Sequence, residues 1–232
     1  MDERSLIRRL AEHFGPPPAP LVTEPFAQVL WEQVAYLATD ARRRAAFEAL
    51  RTRVGLEPLA IAKARPATLT SIARLGGSIA PDVRAERMQR SAELVLSRWD
   101  GDLSRALALP VAQARAALAA FPMIGEPGAD RILAVAGAAR LVPLDSNALR
   151  VLVRLGRVRE ATDYRTTYRR AREAFVLPSR ANATWGVDAG ALLRQLGQTL
   201  CKRGAPRCAA CPLRPSCPVG RSTDDTRQPS PA

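Results

Sequence analysis

The sequence predicts an all-α fold, and two observations on its 232 residues predict it. Apolar residues return every three to four positions through most of the chain, and no stretch alternates apolar with polar residues as a half-buried strand does. Proline and glycine mark the starts and stops of the periodic segments, as they do for helices.

The elements follow in order. In "PFAQVLWEQVAYLATDARRRAAFEALRTRVG", Phe26, Val29, Leu30, Val34 and Leu37 recur at a helix period, and a second helix follows to Gly55. "PATLTSIARLGG" is a short helix closed by glycine. "APDVRAERMQRSAELVLSRWDGDL" starts at Pro81-Asp82 and places Val83, Met88, Ala92, Val95 and Leu96 on one face. "LPVAQARAALAAFP", "GADRILAVAGAARL", "SNALRVLVRLG" and "TDYRTTYRRAREAF" are helix-sized segments of the same kind, and "DAGALLRQLGQTLC" leads into the cysteines. "HFGPPPAP" reads as a proline linker, "GRSTDDTRQPSPA" as a polar, disordered tail, and there is no internal repeat.

Composition narrows the class. Hydrophobic residues make up 47% and charged residues 25%, values ordinary for a soluble globular protein. No apolar run approaches the roughly 20 residues of a membrane span, and "MDERSLIRRL" lacks the apolar core of a secretory signal. An intracellular protein without a membrane partner is expected. The net charge of +13 points to a polyanionic partner, with nucleic acid the leading class. Only Lys63 and Lys202 of the 35 basic residues are lysine, a bias that a GC-rich coding sequence would also produce. Eight arginines lie between Leu149 and Arg172, against Glu160 and Asp163, and they either line a binding surface or form a solvated face.

All four cysteines stand in "CKRGAPRCAACPLRPSC", spaced Cys-x6-Cys-x2-Cys-x5-Cys as Cys201, Cys208, Cys211 and Cys217. In a reducing compartment such a group favours a metal site over disulfides. Only Cys208 and Cys211 have the spacing of a zinc knuckle. The wider outer intervals suit a 4Fe–4S cluster better than one zinc ion, though zinc stays open. Pro206, Pro212, Pro215 and Pro218 stiffen the loop and limit the entropy lost on ligation.

With the cysteine pattern behind a helix in a basic, all-helical chain, the sequence resembles the endonuclease III family of base-excision DNA glycosylases. Two further stretches are similar. "PFAQVLWEQVAYLATD" resembles that family's first barrel helix, which opens Pro-Phe and ends Ala-Thr-Asp. "FPMIGEPGADRIL…VPLDSNALRVLVRLG" resembles its helix-hairpin-helix followed by the catalytic aspartate loop, with Asp145 at the family's distance from the hairpin. The resemblance spans Pro25 to Pro218.

It implies a helix-hairpin-helix glycosylase fold, a helical barrel plus an iron–sulfur cluster lobe. The corresponding domains are an N-terminal helix and linker at 1–20 packing on the cluster lobe, a barrel with the hairpin at 21–140, a lobe with the catalytic Asp and the cluster at 141–219, and the tail at 220–232. It implies a monomer acting on double-stranded DNA in the cytoplasm, associated with the nucleoid, with a 4Fe–4S cluster on the four cysteines. Lys202, Arg203 and Arg207 in the cysteine loop would meet phosphates.

Asp145 is the implied catalytic residue. A glycosylase flips a nucleotide out of the duplex and cuts its N-glycosidic bond through an oxocarbenium-like transition state, which a nearby carboxylate stabilises while orienting water. An Asp before a helix is otherwise simply an N-cap. Met123, Ile124, Gly125 and Gly128 would present hairpin amides to a phosphate. Asn147 and Arg150, just beyond Asp145, are further DNA contacts, and Leu37 stands where endonuclease III members insert a glutamine into the gap left by the flipped base.

The departures from the pattern are equally informative. Met123 replaces the first hairpin glycine, where a side chain pays for positive φ. Pro127 stands where bifunctional members carry the Schiff-base lysine, so strand cleavage by that route is not expected. "LDSNALRVL" is similar to the Leu-Asp-Gly-Asn loop of the adenine glycosylase branch, but that branch's general-acid glutamate falls on Gln33, with Glu32 about 100° away around the helix. The implied activity is monofunctional base excision. The alternative is a non-catalytic iron–sulfur protein that binds lesions on the same scaffold.

Overall fold

The computed structural model describes residues 1–225, and among these every regular element is helical. None of the helices is long and apolar enough to cross a membrane. The chain forms two compact units: Pro20–Ala139 is continuous, whereas Met1–Ala19 combines with the chain from Arg140 onward.

The two-ended unit begins with α1 (Glu3–Phe14), capped by Asp2, whose carboxylate accepts the Ser5 amide at 2.7 Å. Leu6, Ile7 and Leu10 share one face of α1 and are buried.

The continuous unit contains α2 (Pro25–Gln33), α3 (Asp40–Arg53), α4 (Pro58–Lys63), α5 (Pro66–Leu75), α6 (Pro81–Trp99), the single turn α7 (Ser104–Leu107), α8 (Val111–Ala119) and α9 (Glu126–Val135). Helix α6 packs against α2, α4 and α5, and its Met88, Ala92 and Val95 are fully buried. The period reading put Val83 on that face, but Val83 is exposed and Arg84 is buried instead. The reason is polar. Arg84 donates to three backbone carbonyls, from Nη1 to Val34 O at 2.7 Å, from Nη2 to Gly77 O at 2.5 Å and from Nε to Ile79 O at 3.0 Å. Burial depresses its pKa from the usual guanidinium value.

The same contact corrects the reading of α2, expected to carry Leu37 on its apolar face. The helix stops at Gln33, and Leu37 sits in left-handed backbone, φ 46°, with 79% of its surface exposed. Arg84 takes the Val34 carbonyl, and the backbone of Gly76 packs so tightly under it that a Cβ there would lie 2.3 Å from Val34 O. A tertiary partner thus replaces the bond that would have continued the helix.

The two-ended unit is completed by α10 (Ser146–Arg154), α11 (Tyr164–Ala174), α12 (Trp185–Thr199), 3₁₀ turns at Cys208–Ala210 and Arg214–Ser216, and α13 (Pro218–Asp225). Its core joins Leu6, Ile7 and Leu10 to Leu149, Leu152, Tyr168, Leu192, Leu193, Leu196 and Leu213. The polar tail expected from Gly220 begins instead as α13, with Pro218 opening the helix and Gly220 packed on Arg214 and Cys217. The remainder of that segment, 226–232, lies outside the described residues.

Candidate active site

In the continuous unit, α8 and α9 form a helical hairpin. Buried Asp130 of α9 pairs with Arg115 of α8, Nε to Oδ1 at 2.5 Å, which staples the two helices. Met123 occupies the turn in left-handed backbone, φ 67°, and is exposed. The turn therefore keeps the shape a glycine would give, at a conformational cost of about 1–2 kcal/mol. Gly125 is the exposed N-cap of α9 at φ −85°, extended backbone open to any residue. Pro127 lies in the first turn and removes one amide from the helix start. Ile124 differs from the expected amide donor: it is buried and its N–H bonds Phe121 O at 3.1 Å, so its part in the hairpin is packing. Gly128 lies against the Ile124 side chain, 3.4 Å from where a Cβ would stand.

Gln33 is fully buried and ties α2 to this hairpin, donating from Nε2 to Ser91 Oγ and to Pro122 O, each at 2.8 Å. Glu32 is held by Arg131 and, at 3.8 Å, by Arg43. Neither position supplies a free acid. Beside them, Tyr36, Leu37 and Ile79 are exposed apolar side chains on the two loops that Arg84 clamps. Tyr36 and Ile79 were not singled out from sequence, because a lone exposed Ile or Tyr carries no periodic signal.

In the two-ended unit, Asp145 is the N-cap of α10, and its two carboxylate oxygens do different things. Oδ1 accepts the amides of Asn147 at 2.9 Å and Ala148 at 2.8 Å. Oδ2 receives Asn147 Nδ2 at 3.2 Å and faces Arg194 Nε at 3.4 Å. Capping and chemistry are thus compatible readings of one residue. Tyr164 lies close enough that the Asp145 charge, after burial, raises its phenol pKa, which keeps the hydroxyl protonated.

The backbone of α12 holds the Asp145 loop in place. A Cβ on Gly186 would lie 2.1 Å from Leu141 O, on Gly190 2.3 Å from Pro143 O, and on Gly197 2.7 Å from Asn147 O. Only bare helix backbone admits so close an approach. Asn147 and Arg150, expected at DNA, are engaged inside the unit. Arg150 donates to Cys201 O at 2.9 Å, Gly197 O at 2.7 Å and Asn147 Oδ1 at 2.9 Å. Desolvation, the largest influence on it, lowers its pKa from the usual guanidinium value.

Much of the arginine-rich stretch does the same work. Arg154 donates to Lys202 O at 2.7 Å and Arg203 O at 2.9 Å, Arg157 reaches Met1 O and Glu3, and Arg170 bonds Arg159 O at 3.3 Å. These side chains fasten loops and the chain's start, an outcome intermediate between a binding surface and a solvated face.

All four cysteines are free thiols and line one cavity with Leu200, Pro206, Val219 and three arginines, Arg154, Arg207 and Arg214. Among the described residues no three His, Cys, Asp or Glu side chains converge as a single ion requires. Amide and guanidinium donors already face the sulfurs: Arg154 Nη1 lies 3.4 Å from Cys201 Sγ, and the Gly220 amide 3.4 Å from Cys217 Sγ. Burial pushes the Cys211 thiol pKa up, and the other three cysteines push it the same way. Cys201, Cys211 and Leu213 anchor the loop in the core of the unit.

Solved structures share this architecture. The chain matches a trapped endonuclease III–DNA covalent intermediate with TM-score 0.75 and 19% identity, covering 97% of this chain and 99% of that one. It matches a thermostable thymine-DNA glycosylase with TM-score 0.75 and 14% identity, covering 95% and 97%. A third match is H. pylori 3-methyladenine DNA glycosylase (MagIII) bound to 1,N6-ethenoadenine, with TM-score 0.65, 18% identity, and coverage of 86% and 99%. No protein-family model and no curated protein sequence matches the chain. The fold is that of the endonuclease III-type helix-hairpin-helix DNA glycosylases.

Proposed function

We propose that this chain is a monofunctional DNA glycosylase that hydrolyses the N-glycosidic bond of a damaged or mismatched base in double-stranded DNA. The observation that carries the reading is the division of Asp145: Oδ1 is consumed by the cap of α10, while Oδ2 meets the Asn147 and Arg194 side chains on a carboxylate 39% exposed, in a fold shared with DNA glycosylases. As the bond breaks, its electron pair leaves with the base and positive charge grows at C1′. Oδ2 stabilises that charge and accepts the proton of the water that bonds C1′. Pro127 has no amine, so the chemistry stops at an abasic site. The exposed Leu37 would fill the gap left by the flipped base without pairing with its orphan partner, and the Met123 turn would meet a backbone phosphate.

Cys201, Cys208, Cys211 and Cys217 would hold a 4Fe–4S cluster, which when bound cross-links their loop. Arg154, Arg207 and Arg214 offset the charge of its thiolates. Iron and acid-labile sulfide in the purified protein support the cluster, whereas stoichiometric zinc replaces it in this reading.

The function is tested by incubating the protein with duplexes bearing a panel of base lesions and mismatches, then treating with alkali. Base release that disappears in Asp145→Asn is the expected result. Borohydride trapping on the same duplexes should give no covalent adduct, and a clear adduct would refute the assignment of Pro127. A second reading is favoured by the Arg194 guanidinium on Oδ2, which neutralises the carboxylate: a non-catalytic lesion-binding protein, recognised by tight binding without release across the panel.

A further inference from the structure

Arg194 was not marked by any sequence pattern, yet it is the cation that faces the outer oxygen of Asp145. The pair is 3.4 Å apart, 40% exposed on the arginine and 39% on the aspartate. Its geometry is that of an ion pair rather than an aligned hydrogen bond. Ion pairs between partly exposed side chains are weak, although Nε itself is buried. Left in place, this guanidinium would oppose the positive charge that Oδ2 has to stabilise.

The surroundings restrict what can move. Helix α12 is fixed against the Asp145 loop by the backbone contacts of Gly186, Gly190 and Gly197, so any rearrangement falls on the Arg194 side chain alone. Arg150, the other guanidinium of the loop, is committed to Cys201 O, Gly197 O and Asn147 Oδ1. Phosphate matches the planar fork of a guanidinium as a bidentate acceptor at least as well as carboxylate does.

We infer that Arg194 is a phosphate ligand kept on the aspartate until DNA arrives. In the free protein it screens Oδ2. On binding, a backbone phosphate takes the guanidinium, and the same exchange uncovers the carboxylate for catalysis. Arg194 is thus a positioning residue that couples engagement of the duplex to readiness of Asp145. The inference rests on the DNA-binding part of the reading above and adds to it a named phosphate contact and a order of events.

The test needs no knowledge of the true lesion. Binding of a fluorescent duplex carrying a tetrahydrofuran abasic-site analogue is measured by anisotropy at several salt concentrations. The proteins are the wild type, Arg194→Gln, Arg194→Lys, Asp145→Asn and the Asp145→Asn/Arg194→Gln double variant. Losing one phosphate contact should reduce the slope of log affinity against log salt by about 0.9 in Arg194→Gln, and Arg194→Lys should restore it. Asp145→Asn removes the carboxylate charge facing the guanidinium, keeps the helix cap, and should tighten binding by up to about five-fold. That gain should vanish in the double variant, because the two residues act through each other. An unchanged slope in Arg194→Gln, or an undiminished gain from Asp145→Asn in the double variant, overturns the inference while leaving DNA binding intact. Absence of binding by the wild type overturns instead the DNA reading on which it stands.

Discussion

Met123 holds a left-handed backbone, φ 67°, in a turn whose shape suits glycine. Met123→Gly should therefore raise stability by about 1 kcal/mol, since strain relief outweighs the added freedom of the unfolded chain. A urea-unfolding midpoint checks this, and no rise would show the turn to be unstrained. Asp145 separates two quantities that a single role would move together. Asn caps a helix as well as Asp, so Asp145→Asn should unfold with the wild type while losing base release, whereas Asp145→Ala should also lose about 1 kcal/mol of stability. At this scale the sequence discloses residues whose type is unusual for its place, such as the clustered cysteines and a proline at a lysine register. It does not disclose Arg84 or Arg194. Among 35 basic residues nothing local distinguishes the one that is buried or the one that meets the aspartate, because their partners lie at distant positions along the chain.

Helix α12 shows what an element adds. Its glycines let the Asp145 loop lie directly on helix backbone, and Gly190→Ala would place a methyl group 2.3 Å from Pro143 O. A cost of about 1–3 kcal/mol is expected, with a displaced loop and reduced base release in protein that still folds. Unfolding and alkali-cleavage assays on that one variant read both effects. The clamp on α2 is stricter. Arg84→Met removes the donor for the carbonyls of Val34, Gly77 and Ile79 and should cost about 3 kcal/mol or more in a urea titration. Helices were legible here because burial of one face leaves a period in the sequence. Their ends were less so. The stop of α2 at Gln33 is set by a guanidinium fifty positions away, and the face of α6 is turned by the same polar group, neither of which a hydrophobic pattern records.

At the level of the whole molecule, the excess of +13 is divided between two uses. Arg150, Arg154 and Arg157 fasten carbonyls within the two-ended unit, while Arg194 faces Asp145 and Arg207 and Arg214 line the cavity of the cysteines. Net charge alone points to a polyanionic partner and is silent on the internal use, since composition carries no information on pairing. The two units also differ in how the chain supplies them. Residues 20–139 are consecutive, whereas Leu6, Ile7 and Leu10 are buried in one core with Leu192, Leu193 and Leu196. A polypeptide of residues 20–139 alone should therefore unfold cooperatively, and a chain lacking residues 1–19 should lose stability in the cysteine-bearing unit; calorimetry distinguishes the two effects. During synthesis the consequence is one of timing. At about 5–20 residues per second, α1 leaves the ribosome roughly ten to forty seconds before α12 exists to cover it. Helix α1 waits, apolar face uncovered, for α12, and the unit carrying Asp145 and the cysteines closes only after all of residues 20–139 have been made.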